Sequence, residues 1–257
     1  MTPPAASEHP VVFLHDAFVD PGAVGALADL GRDWELVLPR HPGFNVPADE
    51  VPLEWDGIDD LVMHHLLELR RSGQPVHLAG AGLGGWVALE IALRCPAVVC
   101  SLVLVCPYGV RRPDLAPTVR EFADVLLLDP QEIVDLGWAD PARVSCISLP
   151  GVPPAMGDEA LEAAFAARAA LARYGWRPYL HRPGLGRWLA SIEVPAVVVS
   201  GAQDGLISDG NGRFIARELP AGHHVEIEDC GHYPYLERPE EFLCTVRIFL
   251  EGVRSQP

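Results

Sequence analysis

Short apolar runs alternate with helical patterns along most of this chain, and this alternation restricts the possible folds more than any other feature. A strand, a helix and a further strand in regular succession are typical of a parallel sheet with helices on both faces. The sequence therefore predicts a mostly parallel, doubly wound α/β sheet. The predicted strands are 9–15, 34–39, 76–79, 101–106, 194–200 and 223–228, and the predicted helices are 57–71, 83–94, 208–219 and 239–251.

The alternation is interrupted once. Between Pro107 and Glu193 the strand runs disappear and helical segments dominate, above all 158–174, which is almost entirely Ala, Leu, Glu and Arg. We expect residues 1–107 and 194–257 to form the sheet domain. Residues 108–193 would be a helical cap, inserted after the strand that ends at Cys106, over the carboxyl ends of the strands where open α/β sheets bind ligands.

Composition removes several classes of function. The formal net charge is −16, from 35 acidic against 19 basic residues, and every basic residue is Arg. Without Lys, Schiff-base chemistry, a pyridoxal-phosphate anchor and a Walker-type phosphate loop are excluded. Such an acidic chain would be repelled by nucleic acids and anionic membranes, so a small molecule is the expected partner.

The expected location is the cytoplasm. No apolar run approaches the roughly 20 residues that cross a bilayer. Residues 1–8 lack the basic start and apolar stretch of a signal peptide. The six cysteines form no C-x-x-C pair and fall mostly in apolar patterns, as buried reduced thiols do. The oligomeric state stays open.

One motif lies between a predicted strand and a predicted helix: Gly80-Ala81-Gly82-Leu83-Gly84. This is the context of a nucleophile elbow, G-x-S-x-G, in which a sharp turn presents its central side chain above the sheet. A dinucleotide-binding turn would need G-x-G-x-x-G after the first strand and an acid about 20 residues later. The spacing fits at Gly85, but the strand is the third and position 100 is Cys, which favours the elbow.

Two later segments complete a pattern. Asp204 follows a buried strand in the sequence Ser200-Gly201-Ala202-Gln203-Asp204, and His232 lies in the loop before the last helix. The order elbow, acid, His is that of the α/β-hydrolases. Over nearly its whole length the chain resembles an α/β-hydrolase-fold protein with a helical cap, similar to the capped esterases and C–C-bond hydrolases. The resemblance implies a hydrogen-bonded His232–Asp204 pair beneath the cap, and no cofactor or metal.

The chain departs from this family at three positions. The family's nucleophile, Ser or Asp, is replaced by Gly82, which has no side chain and tolerates the positive φ of the turn. Position 81 is Ala instead of a polar residue. Asp16 stands where a Gly normally follows the oxyanion-loop His. Acyl-enzyme chemistry is thereby removed, although the backbone N–H groups of Leu83 and Ala17 would still form an oxyanion hole.

The role of Asp16 has two interpretations: a cap on backbone N–H groups, which is the commoner one, or a second acid/base group in the pocket. A serine introduced at position 82 would be expected to complete a triad at a modest cost in stability. Cys106 is an alternative nucleophile with nothing nearby in sequence to activate it.

The remaining candidates are histidines and the arginines of the cap. His15 and His41 are expected to be structural, and His64 and His65 to face solvent from an amphipathic helix. No His pair has metal-ligand spacing with carboxylates. The arginines of the cap, interleaved with aromatic residues, would either grip an aromatic or anionic ligand or form a solvated face. They are Arg168, Arg173, Arg177, Arg182 and Arg187, with Tyr174, Trp176, Tyr179 and Trp188.

The leading hypothesis is cofactor-free acid/base catalysis by His232 and Asp204. An elimination, cyclisation or isomerisation of a mostly apolar, polyketide-like metabolite would suit such a site, by analogy with family members that lost the nucleophile. A ligand-binding protein without turnover and a hydrolase that uses His-activated water are the alternatives. An engineered Ser-to-Gly esterase is a further one, although Ala81 counts against it because an engineer had no need to change both positions.

Overall fold

The computed structural model describes residues 9–19, 25–44, 54–116, 118–142 and 158–255, with the backbone alone for 158–164. Within these ranges six parallel strands form one sheet in the order β2-β1-β3-β4-β5-β6. The predicted parallel α/β sheet is thereby confirmed. The strands are β1 (Val11–Leu14), β2 (Leu36–Val37), β3 (Val76–Ala81), β4 (Val99–Val105), β5 (Ala196–Gly201) and β6 (Gly222–Ile227).

Helices connect the strands on both faces of the sheet. They are α1 (Gly25–Leu30), α2 (Ile58–Ser72), α3 (Leu83–Arg94), α4 (Pro130–Gly137), α5 (Asp158–Gly175), α6 (Leu185–Trp188), α7 (Asn211–Glu218), α8 (Pro234–Glu237) and α9 (Pro239–Arg254). Helix α3 is buried along nearly its whole length, because it packs directly on β3 and β4. Among the described residues, no helix is long and apolar enough to cross a bilayer.

The central strands are mostly apolar because helices cover both of their faces, and the buried polar pair His77 and Ser101 is hydrogen-bonded at 2.8 Å. All six residues of β3 are buried, and so are all but Cys100 in β4. Strand β3 extends two residues beyond the predicted 76–79, since Gly80 and Ala81 pair with Leu104 and Val105. Strand β2, predicted over 34–39, has only two residues, as is common for an edge strand.

The segment predicted as a cap contains helices and no named strand in its described part. Two isolated bridges, at Gly109 and at Phe122, are its only strand-like pairings among the described residues. Its boundaries at 108 and 193 stay a prediction. Residues 1–8, 143–157 (including Cys146) and most of the predicted loop 40–55 lie outside the described residues.

Ion pairs join the cap to the sheet domain. Arg182 contacts Asp59 at 3.0 Å and the buried Glu90 at 3.4 Å, and Arg94 contacts the same two acids. Since Asp59 lies on α2 and Glu90 on α3, both helices beside the elbow are tied to the cap. The cap segment is therefore tied to two helices of the sheet domain, and its place over the carboxyl ends of the strands stays a prediction.

Candidate active site

The turn at Gly82 has the geometry of a nucleophile elbow without a nucleophile. Gly82 has φ 49° and ψ −111°, and it lies between β3 and the first residue of α3. Positive φ is costly for residues with a side chain and free of strain for Gly. The close packing also requires the flanking glycines, because a Cβ on Gly80 would lie 2.3 Å from the carbonyl oxygen of Gly84.

The carboxyl group of Asp16 fills the place where the missing side chain would stand. A Cβ on Gly82 would lie 1.9 Å from Asp16 Oδ1 and 2.4 Å from its Cγ, far inside contact distance. Asp16 is 0 % exposed and comes from the loop after β1. The two departures from the family pattern are therefore one arrangement in space, since Asp16 fits only because residue 82 is Gly.

Asp16 Oδ1 accepts a hydrogen bond of 3.0 Å from the backbone N–H of Leu83. This is one of the two N–H groups that the sequence assigned to an oxyanion hole, and the Ala17 N–H also favours the ionised Asp16 carboxylate. The predicted backbone oxyanion hole is thus occupied by Asp16. An oxyanion could use it only after that carboxyl moves away.

This placement also corrects the expectation that a serine at position 82 would fit at modest cost. The expectation treated backbone strain as the main penalty. The structure adds a steric overlap with Asp16 at 1.9 Å. A serine requires that Asp16 be displaced or replaced.

His232 and Asp204 are brought together as predicted. His232 Nδ1 donates to Asp204 Oδ2 at 2.7 Å, while Asp204 Oδ1 accepts from the N–H groups of Leu206 and Ile207 at 2.9 and 3.1 Å. This bond fixes the tautomer and leaves His232 Nε2 as the basic nitrogen. Their catalytic roles stay a prediction.

Helix α4 holds the loops that carry this pair. The carbonyl of Leu136 accepts from Gly205 N–H at 2.8 Å, and that of Gly137 accepts from His232 N–H at 2.7 Å. Glu237 Oε1 accepts from Gly231 N–H at 2.8 Å. The cap segment thereby positions the acid loop and the His loop together.

Asp16 and His232 face each other across the site. Asp16 Oδ2 lies 3.8 Å from His232 Nε2, which is too long for a hydrogen bond. Neither atom has a hydrogen-bond partner among the described residues, and both side chains are 1 % exposed. One substrate atom could contact both, because two atoms this far apart can each lie within hydrogen-bond distance of a third.

Burial and charge shift the acidity of both groups. Desolvation raises the pKa of the Asp16 carboxyl, and this effect exceeds the opposing effects of His232 and of two backbone N–H groups. For His232, burial lowers the pKa, but Asp204 first, then Asp16 and Glu237, outweigh it and raise the pKa above 6.5. Shifted pairs of this kind are common at catalytic sites.

A chain of buried histidines supports the Asp16 loop. His41 Nε2 donates to the carbonyl of His15 at 2.8 Å, and His41 N–H donates to His15 Nε2 at 2.9 Å. His41 Nδ1 must then accept from His65 Nε2 at 2.7 Å, and His15 Nδ1 must donate to the Asp16 carbonyl at 2.7 Å. The rings of His15 and His41 are therefore neutral and fixed in one tautomer each.

This chain corrects the prediction that His64 and His65 face solvent. His65 is 2 % exposed, and burial lowers its pKa to about 3. His64 is half-buried, and burial lowers its pKa too. The expected structural roles of His15 and His41 agree with their contacts. Both brace the backbone that carries Asp16.

Tyrosines that the sequence analysis did not single out enclose the two facing groups. The ring of Tyr108 stacks on that of His232 with 5.5 Å between centroids, and the ring of Tyr233 meets it edge-on at 5.0 Å. Both tyrosines are 0 % exposed. The sequence could have identified both as site residues, because Tyr108 follows the end of β4 and Tyr233 follows His232 directly.

Cys106 is a poor nucleophile and a poor metal ligand here. Burial first, then the charge of Asp204, raises the pKa of its thiol well above the ordinary value, so the sulfur stays protonated. Cys106, Asp204 and His232 do place ligand atoms within 4.8 Å of one another. However, Asp204 and His232 already bond to each other, and a metal would need that bond broken.

Most described arginines of the cap are engaged with the protein. Arg168 donates to the carbonyl of Leu128 at 2.6 Å and Arg173 to that of Trp55 at 3.0 Å, while Arg182 pairs with acids of the sheet domain. Arg177, by contrast, lines a cleft of about 460 Å³. The other residues around this cleft include Arg111, Arg120, Phe122, Trp176 and Tyr179. Of the five predicted arginines, Arg177 is the one that lines this cleft, and a ligand-gripping role for it stays a prediction.

Known proteins similar to this chain share its fold. The chain is 29 % identical to a pimeloyl-[acyl-carrier protein] methyl ester esterase of Neisseria meningitidis serogroup A, over 89 % of this chain and 72 % of that relative. It is 25 % identical to the monoacylglycerol lipase ABHD6 of Bos taurus, over 85 % of this chain and 67 % of the lipase.

Solved structures agree on the fold. A membrane phospholipase A described as a bacterial virulence factor superposes with a TM-score of 0.74 at 23 % identity, covering 98 % of this chain and 82 % of that one. A meta-cleavage product hydrolase of Pseudomonas fluorescens IP01 gives 0.72 at 17 %, covering 96 % and 92 %. A model of the alpha/beta hydrolase family matches residues 11–243. The chain is a member of the alpha/beta hydrolase family.

Proposed function

We propose that this protein is a cofactor-independent acid/base enzyme that works without a covalent intermediate. The observation that carries the proposal is the carboxyl of Asp16 in the place of the nucleophile's side chain, 3.8 Å from His232 Nε2. A nucleophile has been exchanged for a second proton-transfer group. The reaction class that uses two such groups is elimination, isomerisation or cyclisation next to a carbonyl.

The proton transfers can be written so that they balance. His232 Nε2 takes a proton from the carbon beside a carbonyl, and the C–H electron pair moves into that carbonyl to form an enolate. Burial favours the protonated form of Asp16, which gives its proton to a leaving hydroxyl as the C–O bond breaks. Water is released, and the proton on His232 then returns to Asp16, which restores both groups.

The expected substrate is a mostly apolar small molecule with a carbonyl group. The interior around His232 is aromatic, with the rings of Tyr108 and Tyr233 packed on the imidazole. Phe122 meets Tyr108 edge-on at 5.6 Å and also lines the cleft of the cap. The rings of Phe122 and Tyr108 thus lie between that cleft and the imidazole, and a substrate has to pass them to reach His232 Nε2.

A second candidate is hydrolysis by a water molecule that His232 activates. The names of the relatives favour it, since an esterase and a lipase are among them. In this chain the Leu83 N–H that would stabilise a tetrahedral oxyanion is bonded to Asp16. Hydrolysis therefore needs Asp16 to leave that position, whereas proton transfer uses it where it lies.

Deuterium exchange separates the two candidates. The wild type should catalyse exchange of the proton beside the carbonyl of 2-tetralone in D2O, followed by NMR, and should not turn over 4-nitrophenyl acetate. His232→Gln should lose exchange entirely, because it has no base at that point. Asp16→Asn keeps an oxygen for the Leu83 N–H, so it should still exchange but lose one limb of the pH–rate profile.

The outcomes are distinct. His232-dependent ester turnover without exchange would establish the hydrolase and overturn the proposal. Binding of 2-tetralone with neither activity would favour a ligand-binding protein. Melting temperatures of both variants close to the wild type would show that lost exchange reflects chemistry and not unfolding.

A further inference from the structure

Four polar atoms around His232 are buried without a protein partner. They are Asp16 Oδ2, His232 Nε2 and the hydroxyl oxygens of Tyr108 and Tyr233, and none has a hydrogen-bond partner among the described residues. A buried polar group without a partner destabilises the fold, and folded proteins rarely retain such groups without a reason. Four at one place indicate that the missing partners belong to a ligand.

The rings that carry the two hydroxyl groups both pack on the imidazole of His232. Tyr108 covers one face of the imidazole at 29° between ring planes, and Tyr233 stands edge-on at 83°. Burial raises the pKa of each phenol well above 10, and Asp16 raises it further whenever its carboxyl is ionised. The hydroxyls therefore stay protonated and serve as hydrogen-bond donors.

The backbone donor for a negatively charged oxygen is meanwhile occupied, because Asp16 Oδ1 accepts from the Leu83 N–H at 3.0 Å. We propose that the hydroxyls of Tyr108 and Tyr233 replace the backbone oxyanion hole and hold the oxygen of the enolate that His232 generates. The proposal rests on the acid/base function above and deepens it. The substrate class it assigns is an enolisable ketone or phenol-like molecule whose oxygen reaches both tyrosines.

The position of the tyrosine donors favours an enolate over a tetrahedral ester intermediate. The elbow amide lies at the end of β3, whereas Tyr108 and Tyr233 come from the loops after β4 and before α8. Both tyrosine rings pack on the imidazole, so an oxygen bound by their hydroxyls is expected on the His232 side of the site. Charge that develops there is next to the base, as in proton abstraction.

A stable enolate mimic tests the proposal without any turnover. We choose 4-nitrophenol, whose phenolate has a distinct visible absorbance, and measure its dissociation constant and its apparent pKa when bound. The wild type should bind the phenolate form. Tyr108→Phe and Tyr233→Phe should each weaken binding about 10-fold or more, since a hydrogen bond to a charged oxygen contributes roughly 1.5–3 kcal/mol.

Tyr235→Phe is the matched control. Tyr235 is also buried, at 1 % exposure, and its hydroxyl also lacks a partner among the described residues, but its ring packs on Phe13 and Phe242. This variant should bind the probe as the wild type does. Asp16 also acts on the Tyr235 hydroxyl, so the comparison separates a ring packed on His232 from a buried tyrosine near Asp16 whose ring packs elsewhere.

The proposal is overturned if the wild type does not bind 4-nitrophenolate, or if the two variants fold and bind it with unchanged affinity. In the second case the hydroxyls belong to a hydrated structural cluster. Failure of the parent function looks different. It would appear as tyrosine-dependent binding of the probe with no deuterium exchange in the wild type.

Discussion

His232 lies between two aspartates that the fold holds in opposite ways. Asp204 is fully satisfied, with one oxygen on His232 Nδ1 at 2.7 Å and the other on two backbone N–H groups. Asp16 has one oxygen on the Leu83 N–H and the other without a partner among the described residues. A satisfied carboxylate orients the imidazole. A carboxyl with an oxygen that lacks a partner can bind a ligand or a proton.

This contrast between the two aspartates also marks where the chain departs from the family pattern. The Asp204 side retains the acid and the His of an ordinary α/β-hydrolase site. On the Asp16 side, one carboxyl fills the place of a side chain at residue 82 and also accepts from the Leu83 N–H. Each prediction below perturbs one of the two sides.

The largest effect is expected from Asp204→Asn. The Leu206 and Ile207 N–H groups hold Oδ1, so the new amide N–H2 would face His232 Nδ1 and force the proton onto Nε2. The base would then have the wrong tautomer, and the rate of deuterium exchange should fall by on the order of 10³–10⁴. Exchange kinetics measure this, with the melting temperature as control. An unchanged rate would show that Asp204 does not orient the base.

Gly82→Ser should disrupt the Asp16 side. The Cβ would lie 1.9 Å from Asp16 Oδ1. Overlap and the strain of positive φ together should lower the free energy of unfolding by about 3 kcal/mol. The variant should not react with a fluorophosphonate, because the serine has no room in the productive position.

The double variant Asp16→Gly/Gly82→Ser should recover about 2 kcal/mol, since residues in contact couple in this range. It frees the Leu83 N–H and restores nucleophile, base and oxyanion donor, so it should label with the fluorophosphonate and hydrolyse 4-nitrophenyl acetate. Adding His232→Ala should remove both. A double variant as unstable as Gly82→Ser would show that Asp16 and residue 82 do not share one volume.

The sequence predicted the parts of the site that depend on local patterns, but not a contact between residues far apart in the chain. The central strands were recognisable because burial on both faces leaves a continuous apolar run. Asp204 was recognisable because it follows a buried strand, and His232 because it lies in the loop before a helix. Asp16 was recognised as a departure with two open roles, but its contact with Leu83 was not predictable, since this contact joins residues 67 positions apart and depends on the path of the loop after β1.

The solvent-facing prediction for His65 failed for a different reason. The buried residues of α2 are Leu61, Val62, His65, Leu66 and Leu69, so His65 lies four positions from a buried Leu on either side. The helical period already placed it on the inner face. Residue type overrode periodicity, although a neutral histidine with hydrogen-bond partners is stable inside a protein.

The histidine chain behind Asp16 should make stability depend on pH. His65 has a folded pKa of about 3 against 6.5 when unfolded, and burial with the charges of His15, His65 and His64 also lowers the pKa of His41. Between these values the unfolded chain binds protons that the folded chain excludes, so stability falls as pH falls below 6.5. From pH 7.5 to 5, His65 alone should account for about 2 kcal/mol.

Urea unfolding at the two pH values measures this dependence. His65→Gln keeps an N–H donor for His41 Nδ1 but cannot titrate, so the difference between pH 7.5 and 5 should shrink by about 2 kcal/mol. His223→Gln, at an exposed position on β6, is the control and should leave the difference unchanged. An unchanged difference in His65→Gln would mean that His65 is protonated in the folded protein.

The smallest effect has the opposite sign and concerns Asp16→Asn. Burial raises the pKa of Asp16 in the folded protein above the value of 3.8 in the unfolded chain. The wild type therefore loses stability as the pH rises from the unfolded pKa to the folded one. At pH 8 the ionised Oδ2 lies buried without a partner among the described residues. The amide keeps the Leu83 bond and removes the charge, while His232 keeps Asp204. We expect Asp16→Asn to be more stable than the wild type by about 1 kcal/mol at pH 8, with the gain shrinking toward pH 4.

Urea unfolding at both pH values measures this gain in the free energy of unfolding. Asp204→Asn, which removes a fully hydrogen-bonded carboxylate, is the control and should be destabilised. If both substitutions destabilise equally at pH 8, the two aspartates are held alike and the unsatisfied oxygen of Asp16 is not a site kept ready for chemistry.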